Sequence, residues 1–173
     1  MKTLCRLAPV GMAMVLLAPT AGAQEPPKPG PEHEMLKKWV GTWDTTMKFM
    51  GGEVKGVATY KMELGGLWLT STHEGEFGGM KFEGRGLDSY DPAKKKYVSV
   101  FVDSMSTSPL VMEGTYDKST KALTMEGEGP GMDGKPTKYK TLAEWKDDNT
   151  VVFTMYVGGE KEPGFTITYK RRK

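Results

Sequence analysis

The 173-residue sequence predicts an all-β fold: an up-and-down antiparallel barrel of about ten strands with a short N-terminal helix. Three observations predict it. From Trp43 onward, apolar residues recur at every second position, the period of a strand. Gly-Gly pairs at Gly51-Gly52, Gly65-Gly66 and Gly78-Gly79 punctuate the alternating runs. The later runs are joined by Asp-, Asn-, Gly- and Pro-rich links such as DKSTK, DDNT and GGEKEPG. Closing such a meander on itself removes its exposed edges.

The chain opens with Lys2 and Arg6, an apolar run from Leu7 to Ala18, and Ala21-Gly22-Ala23. This pattern predicts a secretory signal peptide over residues 1–23, cleaved after Ala23. The apolar run is broken by Pro9 and Gly11 and falls short of the ~20 residues that span a bilayer. The expected location is therefore outside the cytoplasm, either periplasmic or extracellular, with no stable membrane span after cleavage. The only cysteine, Cys5, leaves with the signal, as do Lys2 and Arg6. The expected mature chain has 22 basic and 22 acidic residues and no thiol. That excludes thiolate catalysis and Cys-based metal sites. A neutral chain also gives no electrostatic footprint for nucleic acid.

Residues 24–31, QEPPKPGP, read as a stiff extended leader. The domain proper is expected over 32–173. Met35, Leu36, Trp39 and Val40 share a helical face, which predicts an amphipathic helix from Glu32 to Val40 that ends at Gly41. Strands are expected at 43–50, 53–64, 67–77, 80–90, 96–105, 110–116, 122–128, 137–145, 151–157 and 165–171. If each Gly-Gly is a two-residue turn, Trp43 faces Tyr60, Thr45 faces Ala58 and Met47 faces Gly56. Met62 then faces Leu69, Tyr60 faces Ser71 and Ala58 faces His73. On the next strand, Gly75 faces Phe82, His73 faces Gly84 and Ser71 faces Gly86. The three turns place one apolar set on one face, and a one-residue slip would reverse it. For 96–105 two parities are open. Pairing Tyr90 with Tyr97 points Asp103 inward, and the alternative buries Val98, Val100 and Val102.

The segments EHEMLKKWVGTWD, GGLWL, YDPAKKKYVSV, DSMSTS and GEGPGMDGKPTKYK together resemble the bacterial family called domain of unknown function 1579. The helix followed by G-T-W also resembles the opening of calycins, the lipocalin and fatty-acid-binding-protein group. The resemblance implies a lipocalin-like barrel in which Trp43 packs across the closed end beside the helix. It brings no established activity and no catalytic residues.

His73 is the most informative polar residue, pointing inward among Ala58, Gly84 and Gly86. Small neighbours in front of a titratable ring imply volume for a ligand; a satisfied core histidine is the plainer reading. A heme would have to use His73 alone, since His33 lies on the helix. No His pair stands at zinc-ligand spacing, and the scattered Met residues need no copper. A His73–Asp103 pair could serve an enzyme, yet no nucleophile accompanies it. The basic tail from Lys170 to Lys173 is most simply a solvated terminus. The expected function is non-enzymatic binding, without cofactor or metal, of a small apolar molecule inside the barrel. Met47, Tyr60, Met62, Leu69 and Phe82 supply apolar contact, His73 and Ser71 orient one polar group, and Asp103 sits near by. The alternative is an envelope structural or protein-interaction module with a filled barrel.

Overall fold

The computed structural model describes residues 25–49, 52–131 and 134–173. The expected signal peptide lies outside the described residues. Ten strands follow one helix: α1 His33–Lys37, β1 Gly41–Phe49, β2 Gly52–Glu63, β3 Trp68–Phe77, β4 Met80–Asp91 and β5 Lys96–Asp103, then β6 Leu110–Asp117, β7 Ala122–Pro130, β8 Pro136–Asp147, β9 Thr150–Val157 and β10 Phe165–Arg171. Each strand pairs antiparallel with its sequence neighbours, and β10 closes on β1. The described residues thus form an all-β, closed antiparallel barrel of ten strands with one short helix.

The turns decide the register. Gly78 and Gly79 both have positive φ, at 60° and 80°, so β3 and β4 form the tight hairpin that the sequence predicts. Phe77 faces Met80, Gly75 faces Phe82, His73 faces Gly84 and Ser71 faces Gly86. The β2–β3 connection is wider than expected. Glu63 and Trp68 are the last pair, and residues 64–67 form a 3-10 turn with Leu64 at φ 49°. The Met62–Leu69, Tyr60–Ser71 and Ala58–His73 pairs are unchanged by it. Between β1 and β2 the expected register is wrong by two residues: Trp43 faces Ala58 and Met47 faces Val54. The last described pair there is Phe49–Gly52, which already places Gly52 on β2, and the rest of the expected Gly51-Gly52 turn lies outside the described residues. A shift of two preserves the face, so every inward assignment survives.

The helix is shorter than expected. After Lys37, backbone bonds from Trp39 N–H to Leu36 and from Val40 N–H to Lys37 tighten its end into i to i+3 turns. It covers one end of the barrel through Leu36 and Trp39, and the buried core gathers there. Trp39 stacks on Tyr60 at 5.0 Å and meets Trp145 and Tyr169 edge-on at 5.1 and 5.4 Å. Trp43 is fully buried, and its Nε1–H donates to the Trp39 carbonyl at 2.7 Å. The tail corrects its expected solvated role. The Arg171 guanidinium lies 4.1 Å over the Trp43 ring and donates to the Lys38, Val40 and Asp148 carbonyls. Arg172 pairs with Asp44 at 2.6 Å.

A cavity inside the barrel

Above the aromatic floor the interior is open. A cavity of about 720 Å³ runs from Leu36, Trp39 and Leu69 at the helix end to a mouth beside Met105, Ser108 and Pro130. That volume lies in the range of small-ligand pockets, roughly 300–1,000 Å³. Tyr60, Ser71, His73, Met47, Leu69, Phe82 and Asp103 all line it. Met62 does not. Its partner across the ladder is Leu69, and it packs against the closed-end core instead.

The Asp91–Lys96 connection settles the parity left open by the sequence. Asp91 Oδ1 accepts the Ala93 and Lys94 N–H groups, and Lys95 turns with φ 55°. Tyr90 therefore faces Tyr97, and Gly84 faces Asp103. Tyr97, Ser99, Phe101 and Asp103 take the inward positions, while Leu87, Val100 and Val111 fall in one outward row. Strand β5 ends at Asp103 because its Oδ1 accepts the Met105 N–H at 2.8 Å.

This parity changes the surroundings of His73. A Cβ on Gly84 would lie 2.5 Å from Phe101 Cζ, so the space that glycine leaves holds an aromatic ring. Similarly, the space at Gly86 holds the Ser71 hydroxyl. The room left by the two glycines is thus taken by Phe101 and Ser71, while His73 itself remains on the cavity wall. The His73 ring meets Phe101 and Tyr60 edge-on at 5.2 and 5.5 Å. Its Nε2 is hydrogen-bonded to Ser71 Oγ at 3.1 Å. Burial, with the Arg85 charge adding to it, lowers its pKa to about 4, so the ring is neutral at pH 7. The expected His73–Asp103 pair is not made: among the described residues no hydrogen bond or ion pair joins them. His33 is buried at the closed end, where its Nδ1 accepts the Gly30 N–H.

One further residue, Asp88, escaped the sequence reading. It lies on β4 opposite Leu69 and Ser99, lines the floor of the cavity, and is hydrogen-bonded to Ser99. Burial raises its pKa to about 6. Tyr60 and Tyr169, hydrogen-bonded to each other, feel its charge. The signal was available, since the β3–β4 ladder that sets Ser71 opposite Gly86 sets Leu69 opposite Asp88 one step on. Among the described residues no three His, Cys, Asp or Glu side chains gather as metal ligands. No described helix is long and apolar enough to cross a membrane.

No curated protein matches the chain. Among solved structures it is similar to the crystal structure of Rv2717c from M. tuberculosis, with 12% identity and a TM-score of 0.58, covering 83% of this chain and 99% of that one. At that identity the likeness shows the fold alone. A redesigned β-barrel and a de novo fluorescence-activating β-barrel match at 14% identity and a TM-score of 0.43, covering 79% of this chain and 94% and 95% of theirs. The family described as protein of unknown function DUF1579 matches residues 28–171, and the chain belongs to that family.

Proposed function

We propose that the protein is exported and binds a small, mainly apolar molecule inside its barrel without chemical conversion. The observation that carries this reading is the cavity of about 720 Å³, walled by Met47, Leu69, Phe82, Phe153 and Ile167, with a few polar groups among them. An interior packed for stability alone would be filled to crystal-like density, because unfilled volume costs roughly 24 cal/mol per Å³. The basic start, apolar run and Ala21-Gly22-Ala23 site support export.

Native mass spectrometry of the protein isolated from its own cells is expected to show a retained lipophilic adduct. Purified protein should bind the neutral dye Nile red with a blue-shifted emission. Met47→Trp, which places a larger side chain on the cavity wall, should weaken that binding at least about tenfold, or 1.4 kcal/mol, with the fold intact by circular dichroism. Absence of dye binding and of any adduct would overturn the reading.

A specific observation also favours an interaction role. Leu87, Val100 and Val111 form an outward apolar row on β4, β5 and β6, and Leu87, Val102 and Val111 are 44%, 45% and 51% exposed. Such a stripe suits a protein contact rather than a solvated wall. If it mediates self-association, Val111→Lys should shift the sedimentation coefficient toward that of a monomer and leave Nile red binding unchanged.

A further inference from the structure

The floor of the cavity holds the Asp88 carboxylate, and among the described residues no Lys or Arg lines the floor beside it. Asp88 receives one side-chain hydrogen bond, from Ser99 on β5. From β3 its neighbour is Leu69, and from β2 and β10 the phenols of Tyr60 and Tyr169 face it, already bonded to each other. The only Lys or Arg among the described lining residues is Lys55, near the mouth. Arg85, one position along β4 from Gly84, is exposed and turns its guanidinium back to the Gly84 carbonyl. The remaining ionisable residues among the described lining are His73, Asp103, the tyrosines, and Glu74 and Glu76 of β3.

A carboxylate taken out of water without a cation is costly, and proteins that keep one there commonly use it. We propose that the bound molecule presents a cationic amine head to the Asp88 carboxylate at the closed end, with its apolar tail running toward the mouth. This inference rests on the cavity-binding reading above and names the class of molecule held. It separates the protein from a carrier of carboxylates, whose heads would meet Asp88 as like charges. The raised pKa of Asp88 is consistent with a site built for a counter-charge, because an ammonium beside it would favour the ionised form and bring that pKa down again.

Competition against Nile red at pH 7 tests the proposal, with decylamine and decanoate, which share a tail, as probes. Decylamine should displace the dye from the wild-type protein at a concentration at least about tenfold lower than decanoate. Asp88→Asn, which keeps the shape and a hydrogen bond to Ser99, should bring the two competitors within about threefold of each other. Ser99→Ala, which leaves the charge in place, should preserve the preference for the amine. Equal displacement by both probes on the wild type, or an amine preference that survives Asp88→Asn, overturns the proposal and leaves the cavity reading standing. Failure of Nile red and of both probes to bind overturns the cavity reading, and this inference with it.

Discussion

His73 and Asp88 face the same cavity and respond to acid in opposite directions. The His73 pKa is lowered from 6.5 to about 4, so its charged form is disfavoured in the fold. The stability this withholds from the unfolded state is present above pH 6.5 and is lost as pH falls toward 4. Asp88 is raised from 3.8 to about 6, so its ionised form burdens the fold at neutral pH and the burden lifts as pH falls through 6. Each shift corresponds to at most about 3 kcal/mol, and the two largely cancel between pH 6 and 4. Urea denaturation across pH 4–8 should therefore separate in the variants. Relative to wild type, His73→Gln should gain stability as pH falls from 6.5 to 4, and Asp88→Asn should stabilise at pH 7 with an advantage that vanishes by pH 4. Parallel pH profiles for wild type and both variants would contradict the assignment. The inward place of His73 is legible from period two and the Gly78-Gly79 turn. Phe101 against Gly84 is not, since it depends on whether four residues after Asp91 turn without a bulge.

Among the elements, α1 is the least able to stand alone, because five helical residues make too few backbone bonds to offset nucleation. Apolar contact of Leu36 and Trp39 with the barrel floor holds it, and Arg171 of β10 fastens its end. The guanidinium satisfies the Lys38 and Val40 carbonyls, two of the acceptors left over where the helix stops. Charged hydrogen bonds and a cation–π contact of this kind sum to roughly 2–3 kcal/mol. Arg171→Ala is expected to lower the unfolding free energy by about that amount and to red-shift tryptophan emission as Trp39 and Trp43 gain water. A variant with an unchanged urea midpoint would show that the clamp is redundant. The role of Arg171 is not legible in the tail's own sequence, since it comes from a helix over a hundred residues away along the chain.

For the whole molecule, closure is the decisive event. The last strand, β10, joins β9 and β1, so the two ends of the domain must meet before the barrel has no edge. Deleting Phe165–Lys173 would expose one side of β1 and one of β9 and remove Tyr169 from the floor. Loss of a cooperative unfolding transition and concentration-dependent aggregation are expected, measurable by light scattering. A soluble truncation with a sharp melt would mean that the barrel does not need its last strand. Because the pairings that close it are non-local, folding should also be slow for a chain of this size.

Local chemistry determined much of this protein. Period-two alternation, glycine pairs and polar links placed ten strands and chose their faces, since side-chain direction and turn geometry act over a few residues. The tertiary structure alone decided the β1–β2 register and the width of the turn after Glu63, and that Phe101 occupies the room left by Gly84. It alone left a cavity inside the barrel, with His73 on its wall and the Asp88 carboxylate at its floor. Empty volume and unpaired charge are properties of what surrounds a residue on every side, and those neighbours come from strands far apart in the chain.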